Sequence, residues 1–127
     1  MATVEVSEAN FDSTVEKGIV LLDFWAEWCG PCRTFGPIFE RASARHPEVV
    51  FGKVDTEAQP GLAAAFEIRA IPTIAVLRDG VPLAALPGVI SDAGIDELIG
   101  KVRALDMDEI RQRIEEKAEA SKADESE

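Results

Sequence analysis

Cys29 and Cys32, separated by Gly30-Pro31, are the two cysteines of the chain. Residues three apart on a helix share one face, with Cβ atoms about 5–6 Å apart. Two sulfurs so placed can bridge after a small adjustment. The N-terminal end of a helix carries partial positive charge and favours a thiolate. Cys29 is nearer that end and is expected to be the nucleophile. Cys32, one turn further in, is expected to be more buried and to act as the resolving thiol. Disulfide exchange needs this asymmetry, since one sulfur attacks and the other releases the product. The competing readings are weak. A zinc site wants four Cys or His ligands, and only His46 remains to join the two cysteines. A bridge across so short a loop gains little as a staple.

These cysteines need a strand and a helix to hold them. Ile19 to Trp25 is apolar on both faces, as a buried central strand should be. Phe35, Ile38, Phe39 and Ala42 then recur at helical spacing, which predicts a helix from about Pro31 to Arg45. Pro31 falls in its first turn, where a missing N–H costs nothing. Pro37 predicts a kink, and His46-Pro47 ends the helix. His46 has no evident partner and is assigned no catalytic role. One ionisable residue, Asp23, interrupts the apolar strand. A buried carboxylate there has a raised pKa, and it either accepts the Cys32 proton or is satisfied by local backbone groups. Lys53, in the following strand (Val49 to Val54), either reaches Asp23 and holds that pKa down or snorkels to the sheet edge.

The remaining pattern fills in the architecture. Thr3 to Val6 alternates as an edge strand, and Ser7 or Asn10 caps a helix through Phe11 and Val15 that ends at Gly18. Pro60 to Phe66 is a short helix. Thr73 to Leu77 and Val81 to Leu86 are strands joined by a hairpin at Asp79-Gly80, with Gly88 breaking or bulging the second. Ser91 or Asp92 caps a helix through Ile95, Leu98, Ile99 and Val102. The order βαβαβαββα predicts a mixed central sheet with helices on both faces, an α/β fold.

The segment Asp23-Phe24-Trp25-Ala26-Glu27-Trp28-Cys29-Gly30-Pro31-Cys32-Arg33 resembles the active-site signature of the thioredoxin family. Pro37, Lys53-Val54-Asp55, Arg69-Ala70-Ile71-Pro72-Thr73 and Gly88 follow in that family's order, so the resemblance covers about residues 3 to 104. It implies the thioredoxin fold, a cis Ile71–Pro72 bond facing the dithiol, and protein-disulfide reduction without a cofactor or metal. It implies recycling by a thioredoxin reductase. Trp28, Gly30, Pro31, Ile71, Pro72 and Gly88 are expected to form a flat, mostly apolar rim that receives protein disulfides, with Ile71's backbone pairing with the substrate. Trp25 is expected to be core packing. Pro87, before Gly88, departs from the family pattern and removes an edge donor. The rival reading is a non-enzymatic scaffold that uses the fold for its surface alone.

A chain of 127 residues with 46% hydrophobic content is expected to hold one folded domain. Its formal net charge of −11 argues against nucleic acid and anionic membranes as partners. No apolar run approaches the roughly 20 residues that span a bilayer. With no basic-plus-apolar leader and a lone CxxC, a monomer in a reducing cytoplasm is expected. Residues 1–104 are read as the domain and 105–127 as an acidic extension, nine acidic residues against four basic. Asp106 to Glu109 resembles a capping box, and Met107, Ile110 and Ile114 make a narrow apolar stripe. An extra helix with a frayed tail is expected there, or else a helix that binds a partner or covers the core.

Overall fold

In the computed structural model, which describes residues 2–125, β2 (Ile19–Trp25) is the central strand. Its residues are buried from Ile19 to Phe24 because helices cover both faces of the sheet. Side chains alternate along a strand. Ile19 and Leu21 therefore join one core with Phe35, Phe39, Ile95 and Ile99, while Val20, Leu22 and Phe24 join a second with Val15 and Leu62.

The sheet has five strands in the order β1-β3-β2-β4-β5. β1 (Thr3–Glu5) and β3 (Val50–Asp55) run parallel to β2, whereas β4 (Thr73–Arg78) and β5 (Val81–Pro87) are antiparallel. α2 (Gly30–Arg45) and α4 (Asp92–Arg103) pack on one face, and α1 (Phe11–Val15) and α3 (Pro60–Ala65) on the other. This is the expected thioredoxin fold, with element ends moved by a residue or two.

Local chemistry explains the connections. The β4–β5 hairpin turns through Asp79 and Gly80, with φ of 51° and 81°. Two consecutive positive φ values define the tight turn that Asp-Gly favours. Ser91 caps α4, its side chain accepting from the Gly94 N–H at 3.0 Å. α2 runs through Pro37 as one continuous helix. The bulge in β5 is not at Gly88. Val76 pairs with Ala84 and Leu77 with Pro82, which leaves Leu83 as the extra residue. Pro82 has no N–H to offer the ladder, so the register slips beside it. Gly88 instead follows the strand at φ 97° and donates its N–H to the Pro72 carbonyl at 2.8 Å.

His46 also differs from expectation. Its Nε2 lies 2.6 Å from Asp96 Oδ1, and its Nδ1 lies 3.6 Å from Glu48. Arg45 reaches Asp96 at 2.8 Å, and Arg41 reaches Asp92 at 3.2 Å. These contacts tie the last turn of α2 to α4. The His46 and Arg45 hydrogen bonds hold the Asp96 carboxyl below the usual carboxylate range. No local pattern announces the arrangement, because the partners lie about 50 residues apart in sequence.

The C-terminal segment forms α5 (Met107–Glu125). Asp106 Oδ1 accepts from the N–H groups of Asp108 and Glu109, as its N-cap position predicts. The return half of the capping box is missing, since Glu109 Oε1 instead accepts from Arg113 at 2.7 Å. Met107 is buried, Ile110 is half-buried and Ile114 is exposed, so apolar packing is confined to the start of the helix, while Arg111 pairs with Asp79 of the β4–β5 turn at 3.8 Å. Arg78 secures the junction. Its Nη1 donates to the carbonyls of Val102, Arg103 and Leu105, at and just beyond the end of α4.

Candidate active site

Cys29 is the N-cap of α2, and Cys32 is the third residue of that helix. The two sulfurs are joined in a disulfide with the Cα atoms 5.2 Å apart. The Cys32 N–H donates to Cys29 Sγ at 3.2 Å, so a helix N-terminal donor is aimed at that sulfur. A thiolate at Cys29 would keep this donor and gain from the helix dipole. Cys29 Sγ also lies 3.7 Å from the Ile71 carbonyl oxygen. The expected contrast in burial is absent, since Cys29 is 4% exposed and Cys32 5%. In the bridged state each sulfur covers the other, and Ala26, Trp25 and Ile71 pack around both. The asymmetry lies in what surrounds them. Cys29 faces the Ile71 carbonyl, while Cys32 lines a pocket of about 200 Å³ with Trp25, Arg33, Gly36 and Lys53.

Asp23 is fully buried, and neither of its carboxylate oxygens has a hydrogen-bond partner among the described residues. Strand alternation puts it on the α2 face of β2, beyond Ile19 and Leu21. Burial pushes its pKa from 3.8 up to about 6, and Lys53 opposes that rise. Lys53 is its Cα partner on β3. The Lys53 ammonium makes no hydrogen bond to Asp23 and sits 5.0 Å from the centre of the Trp25 ring. It acts on the carboxylate through space, at the wall of the Cys32 pocket.

The expected rim is partly present. Trp28, Gly30, Pro31 and Gly88 are exposed and Ile71 is half-buried, but Pro72 is buried. The Ile71–Pro72 bond is cis, as the resemblance implies. The rim is less apolar than expected. Trp28 Nε1 donates to Glu57 Oε1 at 2.7 Å, and Glu27, Asp55 and Glu57 surround the pocket beside the indole. Trp25 is half-buried and packs against the cysteine pair rather than into either main core. Two residues that lie within the matching segments were given no role from sequence. Arg33 Nε and Nη2 both donate to the Glu27 carbonyl, fixing its guanidinium beside the helix start. Thr73 is buried and donates its hydroxyl to the Ala70 carbonyl at 2.6 Å.

A cysteine pair set where a strand gives way to a helix N-terminus, with a buried carboxylate on that strand, defines a protein that exchanges disulfides. Comparison with known proteins agrees. The thioredoxin family model matches residues 2–101. A Streptomyces coelicolor protein named "Putative thioredoxin 2" is 53% identical over 116 residues, which cover 91% of this chain and 87% of that one. A match of that length extends into the residues of α5. A Staphylococcus aureus thioredoxin is 39% identical over 102 residues, 80% of this chain and 98% of its own. Among solved structures, Malassezia sympodialis thioredoxin superposes with a TM-score of 0.69 at 33% identity, covering 78% of this chain and 89% of that one. The chain belongs to the thioredoxin family. It is a thiol–disulfide oxidoreductase, and the scaffold reading is not favoured.

Proposed function

We propose that this protein reduces disulfides of other proteins, with the residues of the site in the following roles. Cys29 thiolate attacks one sulfur of a substrate disulfide. A Cys29–substrate bond forms, and the other substrate sulfur leaves as a thiolate and takes a proton. Asp23, as carboxylate, accepts the Cys32 thiol proton through water. Lys53 keeps Asp23 ionisable near neutral pH. The Cys32 thiolate then attacks Cys29 Sγ, and the substrate is released with both of its sulfurs reduced. Two electrons have passed to the substrate, and the Cys29–Cys32 disulfide remains. A thioredoxin reductase supplies the electrons that restore the dithiol.

Trp28, Gly30, Pro31, Ile71, Pro72 and Gly88 form the receiving surface in this reading, with Ile71 presenting its backbone to the incoming chain. The protein works as a monomer in the cytoplasm. Residues 1–104 carry the activity, and 105–127 lie outside it. None of the described helices is long and apolar enough to cross a membrane.

The observation that supports the reading most is the placement of Cys29 Sγ, between a helix N-terminal N–H at 3.2 Å and the Ile71 carbonyl at 3.7 Å. The test is trapping. Cys32→Ser should accumulate mixed disulfides with protein substrates through Cys29, and Cys29→Ser should abolish reduction. Preferential alkylation of Cys32 in the reduced protein near neutral pH would reverse the two roles.

A further inference from the structure

Arg33 shares a pocket with three acidic residues and pairs with none of them. Glu27, Asp55 and Glu57 line that pocket with it, beside the Trp28 indole. Glu57 accepts from the indole, and Asp55 Oδ1 accepts from the N–H groups of Glu57 and Ala58. Arg33 makes no ion pair among the described residues. Its Nε and Nη2 turn instead to one backbone oxygen, the Glu27 carbonyl, at 3.2 and 2.8 Å. Glu27 comes before Trp28 and Cys29, and Arg33 follows Cys32 directly. The side chain therefore closes a ring that contains both cysteines. Inside that ring, the Arg33 N–H donates to the Cys29 carbonyl at 3.3 Å.

We propose that Arg33 is a positioning residue that holds the reduced dithiol ready to close. While the disulfide is intact, it fixes Cys29 against Cys32 by itself. Once it opens, the segment from Glu27 to Cys29 gains freedom, and the Arg33 clasp limits that freedom from the far side of the pair. Ring closure is intramolecular, so its equilibrium depends on the effective concentration of one sulfur at the other. The clasp raises that concentration by keeping the chain on both sides of the pair in the bridged geometry. A guanidinium suits the task, since its rigid fork sets direction as well as distance, which a flexible ammonium does not. The sign separates this role from a charge effect. A cation beside a thiolate stabilises the reduced form, so loss of the charge alone would favour the disulfide. Loss of the clasp disfavours it. Arg33 acts through the Glu27 backbone, and its side chain makes no hydrogen bond to either sulfur among the described residues.

The experiment equilibrates full-length wild type, Arg33→Lys and Arg33→Met with reduced and oxidised glutathione near neutral pH. The protein dithiol and one glutathione disulfide exchange for the protein disulfide and two glutathione thiols, so two electrons pass to glutathione. Alkylation of the free thiols, followed by separation of the two protein forms, gives the equilibrium constant. Arg33→Lys is the deciding variant, because it keeps the charge and loses the fork. Its constant for closure should fall about three- to tenfold, the scale of one net hydrogen bond. Arg33→Met should fall by less, since its lost charge acts the other way. Arg33 is exposed, so the oxidised variants should melt close to wild type. An unchanged or raised constant in Arg33→Lys would overturn the proposal. Equal losses of melting temperature in the oxidised and reduced forms, with the constant unmoved, would overturn it by making the clasp merely structural. The constant reads closure whichever cysteine attacks a substrate first. It can therefore fail while trapping through Cys29 succeeds, and the reverse.

Discussion

Asp23 and Lys53 are Cα partners across the β2–β3 ladder, yet the Asp23 carboxylate has no hydrogen bond among the described residues and the Lys53 ammonium lies over Trp25. A carboxylate so placed loses its hydration and gains only a through-space attraction in return. Ionisation is therefore costly to the fold, and the site keeps a base whose pKa is raised to about 6.

This has a consequence for stability with a definite sign. The Asp23 pKa is higher in the folded state than the ordinary value of 3.8, so folding binds the proton more tightly. The contribution is fully present below about pH 4 and is lost as pH rises through about 6. A rise of this size is worth roughly 3 kcal/mol. Asp23→Asn should therefore be more stable than wild type by up to about 3 kcal/mol near pH 8, with the gap closing towards pH 4. Urea unfolding across that range measures it. A gap that does not change with pH would show that Asp23 is not the titrating group.

Removal of Lys53 should move the same base the other way. Lys53 lowers the Asp23 pKa, so Lys53→Gln should raise it above about 6. If Asp23 accepts the Cys32 proton, the acidic limb of the resolving step shifts to higher pH in Lys53→Gln. Stopped-flow release of the reduced substrate, followed against pH, reads the shift. An unmoved limb would leave Lys53 with its Trp25 contact and no electrostatic part in catalysis.

Much of this site was legible in sequence because its signals are local. An apolar strand, a proline in a first helical turn and two cysteines three apart lie within one short stretch, and Asp23 stands out against its apolar neighbours. The missed features depend on distant contacts. The His46–Asp96 pair joins residues about 50 apart, and the Arg78 clasp joins β4 to the end of α4. Equal burial of the two cysteines follows from the bridge and its packing, which helix position alone does not report. Leu83 became the bulge because Pro82 lacks a ladder donor, whereas Gly88 was the more visible irregularity. Thr73 reads as one more β-branched strand residue, since its partner is a backbone carbonyl and leaves no mark in sequence.

The C-terminal helix should divide into an anchored start, where Met107 packs and Arg111 pairs with Asp79, and a solvated remainder. Met107 is 7% exposed and Ile114 is 48% exposed. Met107→Ala should cost about 2 kcal/mol, the lower end for emptying a buried site of this kind. Ile114→Ala should stay within about 0.5 kcal/mol. Deletion of residues 106–127 should lower the melting temperature through loss of Met107 and leave insulin reduction intact. Loss of reduction on deletion would bring the helix into the active surface.

The two tryptophans should respond unequally to the redox state. The chain has no tyrosine, so near-ultraviolet emission comes almost wholly from Trp25 and Trp28. A disulfide quenches a neighbouring indole more strongly than a dithiol does. Trp25 packs against Cys29 and Cys32, with the Lys53 ammonium 5.0 Å from its ring centre. Trp28 is 67% exposed and is held outward by its bond to Glu57. Reduction should therefore raise the emission mainly through Trp25. The rise should persist in Trp28→Phe, vanish in Trp25→Phe and vanish in Cys29→Ser. Adding reductant to each variant in turn, with thiol titration to confirm the change of state, makes the measurement. A rise carried by Trp28 would mean that the exposed indole folds back over the sulfurs in solution, and that its bond to Glu57 does not hold it away from them.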